Sequence, residues 1–452
     1  MNTIIKIFNY RFTIKEFLLL FFGYLFMEQI FSWLFVPTSA IIQPYQKIFG
    51  FVIYGYMLIN INELKFNERI FLGIFTLIML RLVVESLYVY NTFFQQLTMY
   101  YVLFPAIYSI FIKNLCRKYD FDLLEFMAKF YLYTYIVFMA IYGRGFSFSL
   151  EGLDLEDLGV FSGDGRIIHA TSVFMMILPF LWYLNKFIKT KKGMDAIPLA
   201  FCFVVILIHQ HRSVWSSAIV AAFIYLGISM RVSKENIPKI WSFAVGGLIL
   251  LFFTYFFVSS MFPELTNFLG ERFSEIFDPN QQESTGRFRI EQREVYGRLF
   301  LQRPIFGWTF EGFEMSNPLV DWWPEKTGQH FHEGFMEVLF YHGIVGLLFK
   351  YSFLFYLAFR AFSKNLSEST IILMAFCLSG LLFSLSYVPQ IVFWGHVGLC
   401  LYYLEKDDLH EEEEIDEVEY DDVEEQQTHL PEPLFKGRKA IHQFYTDKNS
   451  IS

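Results

Sequence analysis

Charge is scarce in this chain: Asp, Glu, Lys and Arg make up 18% of its 452 residues, where soluble domains carry about a quarter. That shortage, with 54% hydrophobic residues and a mean hydropathy of +0.38, excludes an ordinary soluble globular protein. Cysteine is equally sparse. Cys116, Cys202, Cys377 and Cys400 show no metal-ligand spacing, and their surroundings predict buried or reduced thiols rather than disulfides. No nucleotide-binding loop, paired-cysteine metal site or Gly-x-Ser-x-Gly elbow occurs. Gly163-Asp164-Gly165-Arg166 is glycine-rich but follows no strand, so it is not a phosphate loop of the soluble type. The short alternating strands of a transmembrane barrel are missing, as is any solenoid-type repeat. Nothing suggests a nucleic-acid partner.

What is present is a succession of apolar runs, most of them close to the length that crosses about 30 Å of hydrocarbon as a helix. They fall at 17–36, 41–60, 70–88, 96–112, 125–142, 170–187, 197–208, 213–230 and 240–261, then at 343–362, 370–387 and 390–404. The predicted fold is therefore an all-α polytopic membrane protein of about twelve helices, with a large loop between helices 9 and 10. The first run is too long for a signal-peptide core and reads as an anchor helix. Lys6, Arg11 and Lys15 before it predict a cytoplasmic N-terminus, and with alternating helices the basic loops at 113–118, 186–192, 231–239 and 360–364 fall on that same side. The opposite side receives the loops 143–169 and 262–332 and the short turn His209-Gln210-His211-Arg212.

Two domains are predicted: a membrane domain, 1–404, which includes the large 262–332 loop, the expected place for any chemistry on the outer side, and an acidic tail, 405–452. The tail holds 16 acidic and 5 basic residues, a balance of −11, so the whole-chain charge of −9 leaves the membrane domain at +2. Such a composition cannot bury a core and predicts a disordered cytoplasmic segment, either a solvated tail or a docking site for partner enzymes.

Polar residues concentrate in 284–346. Arg287, Arg289, Arg293 and Arg298 follow Gly286, and the four-residue spacings of 289/293 and 294/298 suit a helix with a basic stripe and one Glu-to-Arg pair. A solvated helix accounts for Arg293 and Arg298. His332 precedes the apolar helical pattern of Phe335, Val338, Leu339 and Ile344, which places it at the water interface. An imidazole there suits removal of a proton from a hydroxyl, although a lone histidine is more often structural. Arg212 stands where one apolar helix ends and the next begins; an arginine at membrane depth is costly unless it pairs, meets a polar cavity or snorkels to the interface. His209 and His211 read as interfacial, and His330 and His342 as structural.

In order, Arg212-Ser213-Val214-Trp215, Gly286-Arg287, Pro304-Ile305-Phe306-Gly307 running on to Phe313, and His332 with Phe335 and Gly343/Gly346 resemble the O-antigen ligase and polymerase superfamily, the Wzy/WaaL type of membrane glycosyltransferase. The resemblance covers mainly 166–362. Two positions depart from it: Glu333 stands where Asn or Ser is common, and His211 where Ser or Thr precedes the arginine. The resemblance implies a GT-C-like enzyme in the bacterial cytoplasmic membrane, with both termini cytoplasmic and an extracytoplasmic site. It would transfer an undecaprenyl-diphosphate-linked glycan to a glycan or lipid acceptor, polymerising or ligating surface polysaccharide. Arg212 and Arg287, with Arg166 as a third cation, would bind the diphosphate, and His332 would activate the acceptor hydroxyl. Neither metal nor cofactor is implied. Other polysaccharide-assembly proteins are partners the tail could engage.

Two rivals use other features. A transporter or flippase would employ the helices with Glu28, Arg81 and Glu85, the last two four apart and suited to pair with each other. A cell-wall glycan polymerase would use an outer carboxylate with a metal, for which Asp154, Glu156 and Asp157 are the candidates.

Overall fold

The structure is a computed structural model and describes residues 4–7, 10–36, 39–93, 99–142, 168–209, 211–263, 266–267, 270, 285–309 and 331–428. Nearly all of them are helical, as the apolar runs predict. The exception is an N-terminal hairpin that the sequence did not suggest: β1 (Ile4–Ile7) pairs antiparallel with β2 (Tyr10–Thr13), Ile5 opposite Phe12. Its aromatic residues hold it down, with Phe12 buried edge-on to Phe121 and Tyr10 edge-on to Phe126.

The first apolar run is not one straight anchor. A capping box of Thr13 and Glu16 starts α1 (Ile14–Gly23), and after a 3₁₀ turn the chain bends by 106° into α2 (Gln29–Phe35). Glu28 makes the bend. Its buried carboxylate accepts the Phe31 N–H at 2.6 Å, capping α2 where a straight helix would have offered no free donor.

There follow α3 (Ser39–Ile59), α4 (Phe66–Tyr90), α5 (Tyr100–Tyr119), α6 (Leu124–Tyr142), α7 (Ala170–Met175), α8 (Ile177–Thr190), α9 (Gly193–Ile208), α10 (Arg212–Val232) and α11 (Asn236–Met261). Next come α12 (Thr285–Gln302), which lies within the predicted large loop, and α13 (Gly334–Arg360), α14 (Glu368–Ser384) and α15 (Ile391–Thr428). Each predicted apolar run overlaps a helix. Among the described residues, five stretches are long and apolar enough to cross a membrane: α4, α6, the 170–190 stretch, α10 and α13. The bent α1–α2 pair makes a sixth, while α9 and α14 are apolar but shorter.

Two compact units divide the chain, Met1–Glu405 and the acidic Lys406–Ser452. In the first, α5 and α15 meet closely: the Ser109 hydroxyl donates to the Trp394 carbonyl at 2.8 Å, and Gly398 stands where any Cβ would overlap the Ser109 carbonyl. At the far end of α5 the loop cations are paired. Lys113 reaches Glu68 at 3.0 Å and Glu405 at 2.7 Å, and Arg117 reaches Glu68 at 2.9 Å. Arg81 and Glu85 pair within α4 at 2.6 Å, as their spacing predicts. All four cysteines are buried free thiols.

Candidate functional site

α12 is amphipathic in a way that builds the site. Phe288, Gln292 and Tyr296 recur every four residues and are buried, so they form the face turned inward. Tyr296 lies against Phe331 at 4.6 Å and Phe340 at 5.3 Å, which pins the chain just before His332. The His332 backbone N–H then donates to the Gln292 Oε1 at 3.3 Å, and its ring meets Phe288 edge-on at 5.2 Å. His332 is thus fixed at backbone and ring by residues of the helix whose first turn contains Arg287.

Arg289 and Arg293 lie beside that inward face. The Arg293 Nε donates to Glu333 at 2.7 Å, and its Nη2 reaches the Leu385 carbonyl at 3.0 Å. The Arg289 guanidinium lies over the Tyr387 ring at 5.0 Å. Solvation accounts for Arg293 only in part: its side chain is 48% exposed, yet 40 residues along the chain it finds a carboxylate only 4% exposed. Arg298 does pair with Glu294 in the predicted fashion. Burial raises the Glu333 carboxyl above its ordinary value, and the hydrogen bond and charge of Arg293, with the charge of Arg289, oppose that rise.

The sign of the Glu333 effect is testable. A carboxyl whose folded value lies above its unfolded one loses stability as pH rises through the window between them. Glu333→Gln is thus expected to melt at or slightly above wild type near pH 7.5, the gap closing as pH falls toward the ~4.3 of an ordinary glutamate. Arg293→Ala leaves the carboxylate buried without its main partner and should lose on the order of 1–3 kcal/mol in thermal melts. The double variant Arg293→Ala/Glu333→Gln should recover most of that loss.

Arg212 is the first residue of α10, which packs along α14. His209 and His211, predicted to be interfacial, are buried instead. His209 bonds the Tyr135 hydroxyl at 2.8 Å, and the His211 Nε2 bonds the Ile168 carbonyl at 2.8 Å. Next to Ile168, His169 caps α7 by accepting the Thr171 N–H and lies edge-on to Tyr387 at 5.4 Å. Two chains of contacts therefore meet at Tyr387, one from the Arg212 turn through Ile168 and His169, the other from α12 through Arg289. Gly334 closes the same corner, since a Cβ there would meet the Tyr387 carbonyl at 3.3 Å and Pro389 at 3.2 Å. Arg166, His330 and the acidic residues Asp154, Glu156 and Asp157 lie outside the described residues. Among the described residues no three His, Cys, Asp or Glu side chains group as a metal site.

The Pro-x-x-Gly and Gly-x-x-Gly motifs prove to be two halves of one joint. α13 breaks at Gly343, with φ 63° and ψ −159°. The Ile344 and Val345 N–H groups, which in a continuous helix would bond Phe340 and Tyr341, donate to the carbonyls of Pro304 at 2.9 Å and Ile305 at 3.2 Å. The freed Phe340 carbonyl accepts the Trp308 N–H at 2.7 Å, and the Tyr341 carbonyl accepts the Thr309 hydroxyl at 2.5 Å. These four backbone groups freed by the break are satisfied by the turn that follows α12, as burial demands. Arg81 of α4 braces the turn, its guanidinium 5.0 Å from the Phe306 ring. His342 is buried, with Nε2 3.3 Å from the Met99 carbonyl, the structural role predicted for it.

Comparison with known families finds that residues 197–350 match the family described as O-Antigen ligase. The match bears out the resemblance to the O-antigen ligase and polymerase superfamily, and it contains Arg212, Arg287, the Pro304–Gly307 turn and His332. Arg166 falls before it. No curated protein matches the chain.

Proposed function

We propose that this protein transfers an undecaprenyl-diphosphate-linked glycan to an acceptor hydroxyl on the outer face of the bacterial cytoplasmic membrane, polymerising surface-polysaccharide repeats. The observation that carries this reading is the mounting of His332 on Gln292 and Phe288 of α12, inside the segment that matches the ligase family. Arg212 opens α10 and Arg287 lies in the first turn of α12. A cation at a helix N-terminus works against the helix dipole, and an anion bound there reverses that cost. The diphosphate is such an anion, and guanidinium forks suit it.

In the reaction the acceptor oxygen bonds to the anomeric carbon, the bond from that carbon to the diphosphate oxygen breaks, and the acceptor proton passes to His332. Negative charge collects on the leaving diphosphate, where fixed cations lower the barrier most. No metal enters this scheme.

Cells lacking the protein should accumulate lipid-linked glycan. Single repeats on the lipid indicate a polymerase, and finished long chains on the lipid indicate a ligase. Arg287→Ala and Arg212→Ala should each slow transfer about 10²-fold or more, with lysine restoring only part because it keeps the charge without the fork. Unchanged transfer in both alanine variants would remove the diphosphate role.

A further inference from the structure

Beside the Tyr387 corner lies a cavity of about 280 Å³ that the transfer chemistry does not use. Its walls come from α2, α3 and α5 and from Pro389 and Gln390 at the start of α15. They carry three carboxamides (Gln29, Gln46 and Gln390), two aromatic residues (Trp33 and Tyr101) and one cation, Lys47, which is exposed. We infer that this cavity binds a sugar residue of the acceptor glycan, and so sets which acceptor end is presented to His332. The inference rests on the glycan-transfer function proposed above.

The residue types are those that saccharides need. Carboxamides both donate and accept, so each can serve a vicinal pair of hydroxyls, while the faces of indole and phenol rings cover the apolar C–H faces of a pyranose. The protein already holds these amides in place. Gln390 donates to the Ser172 hydroxyl at 2.7 Å, the Thr171 hydroxyl at 3.2 Å and Gln29 Oε1 at 3.0 Å. Gln46 donates to the Met27 carbonyl at 3.1 Å and accepts from the Tyr101 hydroxyl at 3.4 Å. Gln29 and Trp33 are four residues apart on α2, so amide and indole share one face. The bend at Glu28 turns that face into the cavity instead of leaving it along a straight apolar helix.

Position links the cavity to the transfer site. Pro389, in its wall, lies where a Cβ on Gly334 would meet it at 3.2 Å, and Gly334 is two residues beyond His332. Thr171 and Ser172, which hold Gln390, lie two and three residues after His169, the ring against Tyr387. An acceptor sugar held between Gln46 and Trp33 therefore lies against the Pro389–Gln390 segment, which neighbours Gly334 beside the histidine. Lys47 at the exposed rim would favour an acceptor bearing an acidic substituent.

The test uses the full-length protein in lipid nanodiscs with lipid-linked oligosaccharide extracted from the cells that express it. Transfer is measured against acceptor concentration for wild type, Trp33→Ala, Gln46→Leu, Lys47→Met and His332→Ala. Trp33→Ala and Gln46→Leu should each raise the acceptor KM about tenfold while kcat at saturation stays within twofold, the signature of lost uniform binding. Trp33→Phe should restore most of the affinity. Lys47→Met, at an exposed position that folding tolerates, should raise KM severalfold for an acidic acceptor. An unchanged acceptor KM in all three cavity variants, with His332→Ala inactive, overturns the subsite and leaves the transfer function standing. Wild-type transfer by His332→Ala instead overturns the function on which the subsite rests.

Discussion

Replacing His332 with alanine should lower glycan transfer by about 10² to 10⁴-fold, the usual contribution of a positioned general base, while membrane insertion and thermal stability change little. The stability expectation follows from how the residue is held. Its backbone N–H, bonded to Gln292, survives the substitution, and the aromatic contacts of Tyr296 with Phe331 and Phe340 fix the chain without the imidazole. The ring's edge contact with Phe288 is lost. A drop in transfer without a drop in melting temperature separates a base from a structural histidine. The companion variant Gln292→Leu keeps the imidazole but releases its backbone anchor. It should leave acceptor KM near wild type and lower kcat, because a misplaced base costs the transition state and not the ground state. Transfer by His332→Ala at the wild-type rate would rule out the proton-acceptor role.

The parts of this molecule legible in the sequence are those set by local periodicity. Apolar runs marked the helices, the four-residue step of Arg81 and Glu85 marked a pair, and the order of Arg212, Gly286-Arg287, Pro304–Gly307 and His332 marked the family. What sequence did not disclose depends on partners distant in the chain. Arg293 looks merely solvated, yet it also pairs with the buried Glu333, and His209 and His211 look interfacial until Tyr135 and Ile168 cover them. Glu28 lies in an apolar run that reads as one span, yet its carboxylate ends one helix direction and starts another. The inward face of α12, Phe288-Gln292-Tyr296, was legible in principle from its four-residue spacing. The basic stripe on the same helix, Arg289 and Arg293, is the stronger signal in the sequence and masks it.

Substituting Gly343 should have the largest structural effect. Its φ of 63° with ψ of −159° lies in a region essentially reserved for glycine. A Cβ there would also overlap the Ile305 carbonyl and come within 2.7 Å of the Phe306 nitrogen. Gly343→Ala therefore combines backbone strain of about 1–3 kcal/mol with overpacking of about 1–3 kcal/mol. Relief by straightening α13 would return the Ile344 and Val345 N–H groups to Phe340 and Tyr341, expelling the Trp308 N–H, the Thr309 hydroxyl and the Pro304 and Ile305 carbonyls from their partners. The 304–307 turn then undocks, and with it the C-terminal end of α12, the helix that positions His332. Melting temperature and transfer rate should fall together, in contrast to His332→Ala, where only the rate falls. Gly307→Ala should behave like Gly343→Ala, since a Cβ at its φ of 70° would stand 2.5 Å from the Phe340 carbonyl. Gly297, on α12 itself, is the control: a Cβ there meets nothing within 4 Å, so Gly297→Ala should be neutral or stabilise by up to about 1 kcal/mol through helix propensity. If Gly343→Ala melts with Gly297→Ala, the joint does not hold the loop, and the coupling of the break to the His332 site is wrong.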